Sequence, residues 1–164
     1  MLNQMKNGKE KLSVDKFLEA LDNYITSEGI RTCSVNPEAE KAMNLTIEEM
    51  RSLNHQECYE YAYVLYQYCN YCQSIFNKHN TKLKWADHHI GRMIAKMSDR
   101  FSDKYLKWEQ KVHTIAQLDS FAEKLVEVKM SAEGKVTWLS DKIRDMRKQS
   151  DVLFEMAKSK RFNK

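Results

Sequence analysis

The sequence predicts an all-α protein built on a long antiparallel helical hairpin or coiled coil, with small N-terminal helices. Pro37 is the only proline among the 164 residues, and only two of the four glycines follow it. A β-rich fold would need many more turn residues than this. Apolar residues also recur at alternating spacings of four and three, which is the helical period. Hydrophobic residues make up 42% of the chain and charged residues 30%, a balance typical of one soluble domain.

The first 53 residues predict a polar arm followed by small helices. Residues 1–12 are polar and read as a flexible arm, and the region of small helices covers residues 13–53. Ser13 is a suitable cap for a first amphipathic helix, and Gly29 is a suitable stop. Further helix starts are predicted at Asn36 with Pro37, at Thr46 with Glu49, and at Asn54 with Glu57.

Residues 54–164 are predicted to form the long hairpin. A helix over residues 54–98 would be about 68 Å long, and a compact globule of this size cannot bury such a seam without a long partner helix. His79 is its only polar seam position. The predicted seam consists of Cys58, Ala62, Leu65, Cys69, Cys72, Phe76, His79, Leu83, Ala86, Ile90, Met93 and Met97.

The later part of the same chain is the expected partner helix, and a self-associating coiled coil is the alternative. A break is allowed at residues 98–103, and a three-residue step from Ile115 to Leu118 predicts local overwinding of the helix. Lys129 and Ser150 are polar seam positions of the kind that fix register. The second seam runs through Tyr105, Trp108, Val112, Ile115, Leu118, Ala122, Leu125, Lys129, Ala132, Val136, Leu139, Ile143, Met146, Ser150, Leu153 and Ala157.

The segment CYEYAYVLYQYCNYC, residues 58–72, holds six tyrosines and three cysteines. The tyrosines could pack or could stack bases. Packing is favoured, because residues 52–77 contain no lysine or arginine to meet phosphates. Cys69, Cys72 and His79 share one helical face and could be three ligands of a metal such as zinc, which needs a fourth. Buried cysteine also behaves as a small hydrophobe, so we predict no metal and no cofactor, and whether these three residues bind one stays open.

The net charge is +4, and its distribution predicts a binding surface. Residues 78–111 carry nine basic and four acidic side chains, and residues 142–164 carry eight and three, so each segment has a net charge of +5. Cations interleaved with aromatic rings suit a single nucleic-acid strand. A protein contact, or a solvated face with Trp85 against the neighbouring helix, are the alternatives. The predicted binding residues are Lys78, Lys82, Trp85, His89, Arg92 and Lys96, which repeat the same alternation of spacings.

Two passages carry a family resemblance: YCQSIFNKHNTKLKWADHHI (71–90) and VTWLSDKIRDMRKQ (136–149). Together with the predicted hairpin and the basic residues, they make the chain resemble the recombination mediator proteins of tailed bacteriophages. The resemblance implies a small helical oligomer that binds single-stranded DNA and helps to load a recombinase onto strands covered by single-strand-binding protein. It rests on no diagnostic motif, so no functional residue is carried over from the family.

The sequence therefore predicts a non-enzymatic helical homo-oligomer that binds single-stranded nucleic acid, with help from residues 142–164. A role as an accessory or mediator factor in phage DNA recombination or replication is the specific expectation. No nucleophile elbow, phosphate loop or zinc-protease motif predicts catalysis. The N-terminus lacks the apolar run of a signal peptide, and we expect a cytoplasmic protein without a membrane span. The alternative is a structural or regulatory protein-interaction factor, such as a phage assembly factor or an inhibitor of a host protein.

Overall fold

The computed structural model describes residues 19–20, 23–24, 26–30, 33–34, 36–101 and 105–162. The chain divides into two compact units, residues 1–32 and residues 33–164. In the first unit the described residues are helical up to a turn at Gly29, whose φ of 57° is a conformation that glycine adopts readily. The predicted arm of residues 1–12, and the predicted helix start at Ser13, lie outside the described residues.

Residues 33–164 form an α-helical structure, and no strand occurs in the part of the chain described above. The two long helices, α3 and α5, are about 63 and 65 Å long. They run antiparallel, because residues near the start of α3 contact residues near the end of α5. The predicted fold class is therefore confirmed. In chain order the elements are α1 (Pro37–Met43), α2 (Ile47–Ser52), α3 (His55–Lys96), a 3₁₀ turn (Ser98–Arg100), α4 (Trp108–Leu118) and α5 (Ser120–Phe162).

The helix starts predicted for α1, α2 and α3 are confirmed by their caps. The Asn36 side chain accepts a hydrogen bond from the Ala39 N–H at 3.1 Å, and Pro37 occupies the first turn of α1. Reciprocal capping boxes begin the next two helices, with Thr46 and Glu49 at α2 and Asn54 and Glu57 at α3. Because the connections between these helices are short, α1 and α2 stay beside the first half of α3.

The predicted seam is the core of the hairpin. Leu65, Cys69 and Cys72 of α3 are fully or almost fully buried, and they share one cluster with residues of α5 and α1. Each buried aliphatic side chain contributes about 1.5–3 kcal/mol relative to exposure. The remaining buried members of this cluster are Ala39, Ala42, Ala62, Tyr68, Leu139, Ile143, Met146 and Leu153.

Both polar seam positions of α5 make contacts across the hairpin. The buried Ser150 hydroxyl donates to the carbonyl of Ala62 at 2.9 Å. Lys129 Nζ lies 2.7 Å from a carboxylate oxygen of Asp87. A buried hydroxyl without an acceptor is costly, so the Ser150 contact favours one register of the two helices.

The expected overwinding between Ile115 and Leu118 is wrong, because the chain breaks there instead. Asp119 has extended backbone angles, and its carboxylate accepts hydrogen bonds from the N–H groups of Phe121 and Ala122 at 2.8 and 3.1 Å. These bonds satisfy the first amides of α5, so α5 begins as a new helix. Tyr105, placed in the predicted seam, is 93% exposed.

The break at Asp119 allows α4 to pack as a separate short helix against the far half of the hairpin. Ile115 of α4 is buried in a second cluster with Ile90 and Ile94 of α3 and with Ala122 and Leu125 of α5. The far half of the hairpin is therefore a three-helix arrangement.

Lys160 ties the end of α5 to the α2–α3 connection. Its ammonium donates to the carbonyls of Met50 at 3.3 Å and Arg51 at 2.8 Å, and also to the carbonyl of Leu53. Three carbonyls at a helix C-terminus are a favourable site for a cation.

Replacing Lys160 by methionine should lower the free energy of unfolding by about 1–3 kcal/mol, because carbonyls that lie partly away from water lose their donor. Urea unfolding followed by circular dichroism measures the change. Lys158→Met is the matched control, since Lys158 pairs with Glu155 and lies 4.5 Å from the centroid of the half-exposed Phe154 ring, and its replacement should change stability by less than about 1 kcal/mol. Equal effects of the two changes would contradict a tie at Lys160.

Candidate nucleic-acid interface

The six predicted binding residues lie along one side of α3, within the stretch from Lys78 to Lys96. Trp85 is 49% exposed, His89 is half-buried, and the four cations are exposed. The six residues are named here the basic stripe: Lys78, Lys82, Trp85, His89, Arg92 and Lys96. The structure thus places them together, as the sequence spacing predicts.

Within residues 36–101 and 105–162, the elements that cover α3 lie away from the stripe. Tyr61 and Tyr68 precede Lys82 and His89 by three heptads and so lie on the same side of α3. At these tyrosines that side is packed into the cluster that contains α1. The end of α1 nearest the stripe is its start, where Asn36 and Pro37 lie beside Tyr68 and Tyr71, so α1 does not reach Lys78. α4 packs on a different side of α3, where the Trp108 ring approaches Gly91.

Trp85 is positioned by its own helix. Its ring lies 4.3 Å from the His89 ring, centroid to centroid, with 47° between the ring planes. His88 in turn meets His89 edge-to-face at 5.6 Å. A half-exposed indole in contact with an imidazole is a suitable platform for one base.

The cations of the stripe carry charge that no neighbouring acid offsets. Asp87 is the only acidic residue between positions 78 and 96, and it is paired with Lys129. Within residues 36–101 and 105–162, no salt bridge or hydrogen bond involves the charged groups of Lys78, Lys82, Arg92 or Lys96. The pKa of His79 is lowered mainly by burial, then by Lys135, Lys82 and Lys78. The local potential is therefore positive.

Most cations of the C-terminal segment are engaged within the molecule. Lys142 Nζ lies over the rings of Tyr68 and Trp138, at 5.3 and 5.0 Å from the centroids. Arg144 pairs with Asp141 and Asp145. With Lys158 on Glu155 and Lys160 on three carbonyls, few charges of α5 are left for phosphates. The contribution predicted for residues 142–164 stays a prediction.

The cysteines of the tyrosine-rich segment are packed in the core. Cys69 and Cys72 are buried, and the Cys69 thiol points to the Ile143 carbonyl at 3.8 Å. Burial, together with the neighbouring Cys33, raises the pKa of Cys72 to about 12, so this thiol stays protonated at neutral pH. In the ranges that the structure describes, no three His, Cys, Asp or Glu side chains are grouped closely enough to bind a metal.

The tyrosines divide into a packed set and an exposed set. Tyr68 is buried, donates to the Ser34 carbonyl at 3.1 Å and stacks on Tyr71, which agrees with the packing interpretation. By contrast, Tyr63 and Tyr66 are 63% and 56% exposed. They line an open groove of about 400 Å³, named here the tyrosine groove. Its lining residues are Tyr59, Ala62, Tyr63, Tyr66, Ser150, Asp151 and Phe154.

Sequence reasoning missed the charges that α5 brings beside this groove. Arg147 donates to the Gln73 side chain at 3.1 Å, across a sequence separation of 74 residues. Together with Lys148 it lines a second groove, which adjoins the first at Asp151. The absence of cations in residues 52–77 therefore does not describe the surroundings of the tyrosines. An antiparallel pairing of the two predicted seams would have placed Arg147 and Lys148 beside the tyrosines.

The position of His79 gives the hairpin a pH dependence. Its folded pKa lies below the ordinary value of 6.5, so the unfolded chain binds the proton more readily. The contribution of the neutral imidazole to stability is present above pH 6.5 and is lost as the pH falls towards the folded pKa. The difference in unfolding free energy between His79→Leu and the natural chain should therefore grow in favour of the variant from pH 7 to pH 5. Urea titrations at several pH values measure it, and a constant difference would contradict the burial effect.

No helix among the described residues is both long and apolar enough to cross a bilayer. In comparisons with known proteins, no family model, no curated protein and no solved structure matches this chain.

Proposed function

We propose that this chain is a non-enzymatic, helical, self-associating protein that binds single-stranded nucleic acid through the basic stripe. One observation carries the proposal. Four cations without an acidic neighbour and a half-exposed indole follow one uncovered side of α3, over a length of about 27 Å.

The chemistry of the stripe favours a single strand over a duplex. Lysine and arginine meet phosphates, whereas Trp85 offers a ring face that only an unpaired base can cover. Four phosphate contacts correspond to a slope of about −2.8 in the logarithm of affinity against the logarithm of salt concentration. Such binding is sequence-tolerant, because every base has a face that stacks.

Self-association would strengthen the binding. One stripe makes few contacts, while several linked copies on one strand gain effective concentration. A role as an accessory or mediator factor in phage DNA recombination or replication, with a recombinase as protein partner, is supported by the resemblance described above.

The stripe is tested by replacing Lys82, Arg92 and Lys96 with glutamate. Loss and reversal of three phosphate contacts should weaken binding to a labelled single-stranded oligonucleotide about a hundredfold or more at low salt, as measured by fluorescence anisotropy. Arg51, Lys107 and Lys124 are exposed cations outside both the stripe and residues 142–164, and their reversal is the control with equal charge change. Equal losses in both triple variants would show that only net charge matters. Circular dichroism checks that each variant is folded.

Trp85→Leu tests the stacking platform separately. Since a stacked base gains about 1–3 kcal/mol on an aromatic ring, affinity for the single strand should fall roughly fivefold to 150-fold while the salt slope is unchanged. Trp108→Leu is the control, because Trp108 is similarly exposed but lies on α4. Unchanged affinity of Trp85→Leu would rule out stacking at this position.

A structural or regulatory interaction factor is the second candidate function. The exposed tyrosine groove favours it, because contiguous exposed aromatic side chains mark sites of protein contact more often than isolated ones do.

A further inference from the structure

The tyrosine groove is the open half of a longer groove between α3 and α5. Gly91 and Ile94 follow Tyr63 and Tyr66 by four heptads, and Val126 precedes Phe154 by four heptads. Residues at the same heptad position lie on the same side of a paired helix. The far half, at Gly91, Ile94 and Val126, and the near half, at Tyr63, Tyr66 and Phe154, are therefore equivalent places along one groove.

The far half of this groove is occupied by a helix of the same chain. It holds α4, whose Trp108 lies beside Gly91 and whose Ile115 shares a buried cluster with Ile94 and Val126. Together with Val112, these residues form an apolar stripe with spacings of four and three. The molecule thus contains its own example of an amphipathic helix bound in the groove.

The near half has the shape and composition for a similar ligand. The small residues Ala62 and Ser150 line the groove between its aromatic walls. The Ser150 hydroxyl donates to the Ala62 carbonyl, so it does not need a hydrogen-bond partner from a ligand. Phe154 is 43% exposed and holds Tyr59 edge-to-face at 5.4 Å.

Charge on the α5 wall defines the polar flank of the ligand. The α3 wall carries no charge from Tyr61 to Asn77. On α5, Arg144 pairs with two aspartates, whereas Arg147 donates to the neutral Gln73 and Lys148 is exposed. Asp151 lies beside these two cations, so the two basic side chains and one carboxylate leave a small positive charge there, and a helix placed against them gains from acidic residues on that flank.

We propose that the tyrosine groove binds an amphipathic α-helix of a partner protein. Its apolar residues, spaced four and three apart as in α4, cover Tyr63, Tyr66 and Phe154, and its acidic flank faces Arg147 and Lys148. This is recognition of a helix by a hydrophobic groove. The tyrosine groove and the adjoining second groove together extend from Tyr59 to Phe76 along α3, a length of about 26 Å, which is enough for roughly 17 residues of helix.

A nucleic-acid strand fits this surface less well than a helix does. Arg144 is paired with Asp141 and Asp145, and Asp151 lies beside Arg147 and Lys148, so a polyanionic strand would find little net positive charge there, whereas a helix gains mainly from the aromatic rings. The tyrosine groove also lies on a different side of α3 from the basic stripe. The inference therefore does not rest on the proposed nucleic-acid function, and both ligands can bind together.

Two designed 18-residue helical peptides test the proposal. Both carry leucine at spacings of four and three, and they differ only in a flank of glutamate or lysine. Fluorescein-labelled peptides are titrated with the full-length chain and followed by anisotropy. The glutamate peptide should bind saturably and at least tenfold more tightly than the lysine peptide. Tyr63→Ala with Tyr66→Ala should weaken binding at least tenfold, whereas Phe121→Ala, an exposed aromatic outside the groove, should not.

The charge assignment is tested by a reversal. Arg147→Glu with Lys148→Glu should make the lysine peptide the tighter ligand. Equal affinity of both peptides for the natural chain, or no effect of the tyrosine changes, would overturn the proposal. Displacement of the glutamate peptide by a single-stranded oligonucleotide would also overturn it, because the groove would then be part of the strand-binding surface. Chains with glutamate at Lys82, Arg92 and Lys96 should still bind the peptide, which separates this result from the test of the stripe.

Discussion

The pairing of α3 with α5 is the interaction on which the other features of the hairpin depend. A 42-residue helix with a continuous apolar seam cannot remain stable in water unless a helix of similar length covers that seam. Small side chains at Ala62, Cys69 and Cys72 are buried at this contact. The Ser150–Ala62 hydrogen bond then favours one register, since a shift would leave a buried hydroxyl without its acceptor.

This pairing leaves two flanks along the hairpin, and each is covered over a different half. On one flank, α1 packs from Tyr61 to Tyr71 and does not reach the basic stripe. On the other flank, α4 packs near Gly91 and Ile94 and leaves the tyrosine groove open. Among the described residues of 33–164, these two short helices therefore leave the basic stripe and the tyrosine groove uncovered, on opposite flanks and in opposite halves.

Local and periodic features could be predicted from the sequence, and features of tertiary packing could not. Caps such as Thr46 with Glu49 depend on residues three apart, and the seam depends on a repeating spacing, so both are visible in a short window. The three-residue step from Ile115 to Leu118 is compatible with an overwound helix and also with a break between two helices. The hydrogen bonds that the Asp119 carboxylate accepts show that the chain breaks there. The alignment of the stripe residues was predictable for the same reason. Their exposure depends on how far α1 extends along α3, and Arg147 contacts the tyrosine-rich helix across 74 residues of sequence.

The two open surfaces differ in the ratio of apolar to charged contacts, and this ratio determines which ligand each one favours. The basic stripe offers four cations and one half-exposed indole. An amphipathic helix would bury little apolar area there, whereas a polyanionic strand gains counterion release at each phosphate. The tyrosine groove offers several aromatic rings but few cations without an acid nearby. A strand would gain little charge neutralisation in the groove, whereas a helix can bury its apolar face against the rings. On the proposed assignments, the strand and the helix therefore do not compete for one surface, even though both ligands carry negative charge.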